Sequence, residues 1–124
     1  MSEAPGRRLV VKVTAGAEAA ERCSQAFTVA ATAAASGVEV SLWLTGESSW
    51  FAVPGRAVDL GLPHAAPVPD LLEVVRELGQ VTVCTQCAAR RGIGPDDLLP
   101  GIRIAGAAAF VEEVTAAGAQ ALVY

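Results

Sequence analysis

Val81-Thr82-Val83-Cys84-Thr85-Gln86-Cys87-Ala88-Ala89-Arg90-Arg91-Gly92 reads as a strand that runs straight into a short helix. The β-branched run favours extended backbone, the residues after Cys84 favour helix, and Gly92 stops it. A strand that feeds a helix with no loop between them belongs to a β-α-β unit, whose crossover returns the chain to the same end of a parallel sheet. Cys84 stands at the junction.

Outward in both directions the same alternation repeats. Upstream, Asp70 and Glu73 make an N-terminal capping pattern for a helix with apolar face Leu71, Leu72, Val74, Val75 and Leu78, closed by Gly79. Residues 54–69 carry four prolines and two glycines, an irregular connection in which one helical turn is expected over residues 56–60. Residues 38–44 alternate as a strand and open into a loop, Thr45-Gly46-Glu47-Ser48-Ser49-Trp50-Phe51. Before them, residues 9–13 form a strand interrupted by Lys12, and Gly16 makes a tight turn into an alanine-rich helix that reaches Ser36. Ala20, Cys23, Phe27, Ala30 and Ala34 recur at helical spacing as its buried stripe, and Gly37 supplies the terminal left-handed position. Downstream of Gly92 come a Gly94-Pro95-Asp96-Asp97 turn and a brief strand at 102–104. A helix at 106–117 follows, facing inward with Phe110, Val111 and Val114, and a last strand at 121–124. The fold class is α/β, a mainly parallel sheet covered on both faces, in one domain over residues 1–124 with 1–7 expected to be flexible.

The 124 residues suffice to bury about two thirds of the surface exposed by the unfolded chain, so no disulfide or metal is needed for stability. Hydrophobic residues make up 52% and charged residues 18%, and mean hydropathy is +0.43, an apolar surplus that suggests a subunit interface. A net charge of -4 is poorly suited to phosphate backbones and argues against nucleic acid as a partner. Residues 26–44, the most apolar long window, are interrupted by Ser36, Gly37, Glu39 and Ser41, which argues against a membrane span. The N-terminal run is too short and charged for a secretory segment, and three cysteines make an odd count, so reduced thiols and a cytoplasmic location are expected.

Loops leaving the C-terminal ends of parallel strands gather along one edge, where ligands bind. Cys84 lies at such an end, where the N–H groups of a first helical turn favour the thiolate, with Arg90 and Arg91 adding positive potential. Cys87, three residues on, is either a resolving thiol or a small packed residue. Thr85 joins Arg90 and Arg91 as electrostatic support, and Glu47 and Trp50 are candidates for a substrate or partner contact, against simple loop packing. His64, the single histidine, reads as an ordinary surface residue of the proline-rich loop. Cys23 belongs to a packed stripe, so a four-ligand zinc site in one subunit is not expected; two cysteine pairs meeting across an oligomer are the remaining arrangement. No nucleotide fingerprint or Ser-His-acid grouping is present, and no cofactor is indicated.

The stretch from Val81 to Ile93, followed by Leu98-Leu99-Pro100-Gly101-Ile102 and the terminal Ala-Leu-Val-Tyr, resembles the DsrE/DsrF-like family, as does Leu42-Trp43-Leu44-Thr45-Gly46-Glu47 after the second strand. The resemblance implies a three-layer α/β/α sandwich with a five-stranded, mainly parallel sheet, and assembly into homo- or hetero-oligomers, commonly trimers or hexamers, with a homo-oligomer expected here. In sulfur-relay members the cysteine after this strand carries a persulfide received from one protein and passed to another; by position it matches Cys84. Cys87 departs from the single-cysteine carriers. Three functions follow as expectations: a sulfur carrier or sulfurtransferase with a persulfide on Cys84, a Cys84/Cys87 thiol-disulfide (peroxiredoxin-like) redox protein or sensor, or an oligomeric binding protein without catalysis.

Overall fold

The computed structural model describes residues 7–124. The flexible leader expected at 1–7 falls outside these except for Arg7, whose carbonyl accepts a hydrogen bond from the Glu39 N–H at 3.3 Å. In chain order the elements are β1 (Arg8–Val13), α1 (Ala20–Ala35), β2 (Glu39–Leu44), α2 (Val68–Leu78), β3 (Gln80–Cys84), α3 (Thr85–Arg90), β4 (Arg103–Ala105), α4 (Ala107–Val114) and β5 (Ala119–Val123). All four strand pairings are parallel, in the order β4-β3-β2-β1-β5. The α/β sandwich expected from the alternation is therefore present, with helices on both faces.

Alternation along each strand divides the sheet's two faces. Val11, Val13, Val40, Leu42, Leu44, Val81 and Val83 face α1 and α2 and are fully buried or nearly so with Phe27, Leu72 and Val75. Each such side chain contributes about 1.5–3 kcal/mol, which makes this layer the main source of stability. The opposite face carries Lys12, Ser41, Trp43, Thr82 and Arg103, and α4 crosses it. Glu113 of α4 accepts hydrogen bonds from Ser41 Oγ, from Trp43 Nε1 at 3.1 Å and from Arg103 Nη2. Arg103 Nε in turn donates to Thr82 Oγ1 at 2.8 Å. This polar network, with the edge-to-face contact of Trp43 and Phe110 at 5.3 Å, holds α4 where the sequence suggested an apolar stripe. Val111 is 54% exposed and no residue of α4 is fully buried.

Other local expectations shift for identifiable reasons. The stretch after β2 is not a loop but a 3-10 helix, Gly46–Ala52, because Thr45 and Ser48 cap it reciprocally and Ser48 and Ser49 are buried. Residues 56–60 hold no helical turn. Helix α2 begins at Val68, two residues ahead of Asp70, since Pro69 is tolerated in a first turn that needs no N–H there. Leu78, at its end, is 57% exposed rather than part of the packed face. Gly79 closes α2 in extended conformation, φ -138°, not in the left-handed form. What requires glycine there is space: a Cβ would stand 2.6 Å from the Val40 carbonyl oxygen.

Candidate functional site

Lys12, Trp43 and Cys84 come from the C-terminal ends of β1, β2 and β3, and α4 begins beside them at Ala107, just after Gly106. Together they enclose a cleft of about 440 Å³, completed by Thr45, Thr85, Gln86 and the first turns of α4 from Ala107 to Val111. Cys84 is half-buried on its wall and Trp43 lies at its base.

The three cysteines occupy three environments, and all are free thiols. Cys23 is fully buried in α1, and burial together with the Glu18 charge pushes its thiol up to about 12, which leaves it unreactive at neutral pH. Cys84 is held below the ordinary thiol range. Burial opposes this shift, but the backbone N–H of Cys87, the Cys87 thiol, the backbone N–H of Gln86 and the Lys12 ammonium together outweigh it. Cys87 is buried, and its Sγ accepts a hydrogen bond from the Gly46 N–H at 3.3 Å.

Conformation and space explain the glycine at position 46. Its φ is +57°, and an added Cβ would meet the Thr14 carbonyl oxygen at 2.7 Å, so the chain passes where only glycine fits. Thr45 Oγ1 donates to the Val13 carbonyl at 2.8 Å, and Ser48 Oγ to the Thr45 carbonyl at 2.7 Å. The β1 and β2 ends are thereby locked together, and the Gly46 N–H is aimed at Cys87.

Of the residues singled out from sequence, Cys84 and Thr85 line the cleft, and Cys87 lies behind Cys84. Glu47, Trp50, Arg90 and Arg91 are not among its lining residues. Arg91 Nε pairs with Glu47 at 2.9 Å, and its Nη1 donates to the Cys87 carbonyl, so this arginine ties α3 to the 3-10 helix. Trp50 stacks under Arg56, 4.1 Å from the ring centroid. The Lys12 ammonium is a positive charge that favours the Cys84 thiolate. Lys12 was visible in the sequence only as an interruption of a β-branched run, yet a charge inside a strand of a parallel sheet, where both faces are normally covered, is the signal that finds it. Glu113 carried no comparable signal. His64 is exposed, in the left-handed region at φ 62°, and borders a separate hollow with Gln25, Thr28 and Tyr124. Among the described residues, no three His, Cys, Asp or Glu side chains converge as a metal site, and no helix is long and apolar enough to cross a membrane.

Fold and site define an α/β domain with a thiolate-favouring cysteine on the C-terminal edge of a parallel sheet. The profile of the DsrE/DsrF-like family matches residues 7–122, and the chain belongs to that family. Among solved structures it is similar to the ychN protein from E. coli, with a TM-score of 0.76 and 17% identity over 97% of this chain and 100% of the other. It is also similar to MTH1491 from Methanobacterium thermoautotrophicum, described as a protein of unknown function, with a TM-score of 0.66 and 13% identity over 95% and 99%. At these identities the likeness concerns the fold. No curated protein matches the sequence.

Proposed function

We propose that the protein is a sulfur carrier or sulfurtransferase-type protein that holds a persulfide on Cys84. The observation that carries this reading is the state of Cys84: half-buried, open to a cleft, and with its thiolate favoured by two backbone N–H groups, a neighbouring thiol and a lysine. Family membership supports a sulfur-relay-related role in general terms. In the proposed step the Cys84 thiolate attacks the outer sulfur of a donor persulfide, R–S–SH. A Cys84 Sγ–S bond forms, the donor S–S bond breaks, the proton stays on the transferred sulfur, and the donor leaves as the thiolate R–S⁻. The reverse sequence on an acceptor thiolate discharges the carrier. Donor and acceptor proteins, and a homo-oligomer, complete this reading.

A second reading, thiol-disulfide redox work by Cys84 and Cys87, is favoured by the action of the Cys87 thiol on Cys84. The buried position of Cys87 and its bond from the Gly46 N–H favour instead a supporting role, in which Cys87 donates to the Cys84 thiolate. Incubation of the reduced protein with a cysteine desulfurase and cysteine, followed by peptide masses for wild type, Cys84→Ala and Cys87→Ala, separates the two. A carrier gains one sulfur on Cys84, keeps it without Cys87 and loses it without Cys84. An oxidised Cys84–Cys87 pair as the sole product supports the redox reading, and no change at all defeats both.

A further inference from the structure

The cleft in front of Cys84 has the dimensions of a small-molecule site. Its volume of about 440 Å³ lies inside the range of about 300–1,000 Å³ typical of ligand pockets. Its walls are largely apolar, with the Phe110 ring and Val111 from α4 on one side and Trp43 at the base. Into this setting the sheet places one ammonium group. Lys12 is half-buried, and its Nζ lies 4.8 Å from the centroid of the Phe110 ring. Among the described residues, no carboxylate is within ion-pair distance of it; Glu113, the partly buried carboxylate of α4, is occupied by Ser41, Trp43 and Arg103. A cation desolvated without a carboxylate partner is costly, and an aromatic face compensates for only part of that cost. The cleft therefore presents a nucleophilic sulfur, an apolar wall and a positive charge without a carboxylate partner, which is the complement of a small organic anion carrying sulfur.

We propose that this cleft binds a small organic persulfide with a carboxylate group, Lys12 anchoring the carboxylate and Phe110 and Val111 packing on the body, so that one sulfur donor is a small molecule. The proposal rests on Cys84 as the sulfur-bearing thiol and adds the class of molecule that loads it. The transfer is the one written above with R an apolar, carboxylate-bearing group. The outer sulfur moves to Cys84 Sγ with its proton, and the donor departs as R–S⁻, with no external oxidant or reductant. Lys12 thus acts on the donor as well as on the thiolate, and these two roles separate experimentally. A thiolate effect changes every donor equally, whereas an anchor distinguishes a charged donor from a neutral one.

The test compares para-carboxybenzyl persulfide with its methyl ester as donors to the reduced protein, with initial rates of sulfur gain on Cys84 followed by peptide mass. At low donor concentration the acid is expected to react about tenfold faster than the ester, the discrimination expected from one hydrogen bond to a charged group. Lys12→Met should remove the difference by slowing the acid selectively, after both rates are normalised to alkylation of Cys84 by neutral iodoacetamide, and Lys12→Arg should retain most of it. Equal rates for acid and ester in the wild type overturn the proposal, as does an equal slowing of both in Lys12→Met. The wild-type ratio needs no variant, so it decides even if Lys12→Met does not fold. If desulfurase still loads Cys84 while the ratio is near one, the small-molecule donor falls and the carrier reading stands; if no donor loads Cys84, both fall.

Discussion

Substituting Gly46 by alanine separates two constraints that the structure imposes on one residue. An alanine at φ +57° incurs the left-handed penalty of about 1–2 kcal/mol. Its Cβ would also lie 2.7 Å from the Thr14 carbonyl oxygen, a distance that only movement of the backbone relieves, and such overpacking costs about 1–3 kcal/mol more. Gly46→Ala should therefore destabilise by about 2–5 kcal/mol, a large part of the roughly 5–15 kcal/mol available to a domain. Gly55 provides the control, because it has φ +78° with nothing within 4 Å of an added Cβ. Gly55→Ala keeps the conformational penalty, partly offset by a less disordered unfolded chain, and should cost about 1 kcal/mol. Urea unfolding followed by tryptophan fluorescence at neutral pH gives both values. Equal losses for the two variants, within about 0.5 kcal/mol, would mean that the close passage of Gly46 over β1 is absent from the protein. Because the Gly46 N–H donates to Cys87, folded Gly46→Ala should also alkylate more slowly at Cys84.

The pH dependence of alkylation should place Cys84 below a free thiol, and Cys87→Ala should move its midpoint upward by removing the donor beside the thiolate; an unchanged midpoint would remove Cys87 from the site. In the same digest Cys23 should stay unmodified at pH 8 until urea unfolds the chain, since burial holds it as the neutral thiol. Glu113 is held below the usual carboxylate range. Burial opposes this, but hydrogen bonds from Ser41 and Trp43 and the Arg103 charge prevail. Its contribution is present above the unfolded value of about 4.3 and is lost as pH falls through the folded one, so Glu113→Gln should cost about 1–3 kcal/mol at pH 7 and progressively less below pH 4. A deficit in urea stability that stays constant down to pH 2 would contradict this. The expected homo-oligomer should use the apolar surface left open beside α4. Val123→Lys, on an edge strand without charges where Val123 is 63% exposed, should lower the sedimenting mass, and an unchanged mass would exclude β5 from the interface.

The parallel sheet was legible in the sequence because each strand that packs against α1 and α2 is a short β-branched or aliphatic run, and each helix ends at a glycine or a turn. Cys84 was legible because its position depends on one local junction, where Val83 ends a strand and Thr85 starts a helix. Its surroundings were not. Lys12, Trp43 and Phe110 lie 72, 41 and 26 residues from Cys84 in sequence and meet only because three parallel strands end together and α4 crosses them. Arg90 and Arg91 looked closer to the thiol, but helical geometry and the Glu47 carboxylate direct Arg91 elsewhere. Sequence alone determined the α/β alternation, the strand-to-helix step at Cys84 and the buried stripe around Cys23 and Phe27, since these depend on local propensity and periodicity. Only the tertiary structure decided which charge reaches the thiol, which glycines are required by space, and that α4 is held by the carboxylate of Glu113, because these follow from contacts between residues that no local pattern relates.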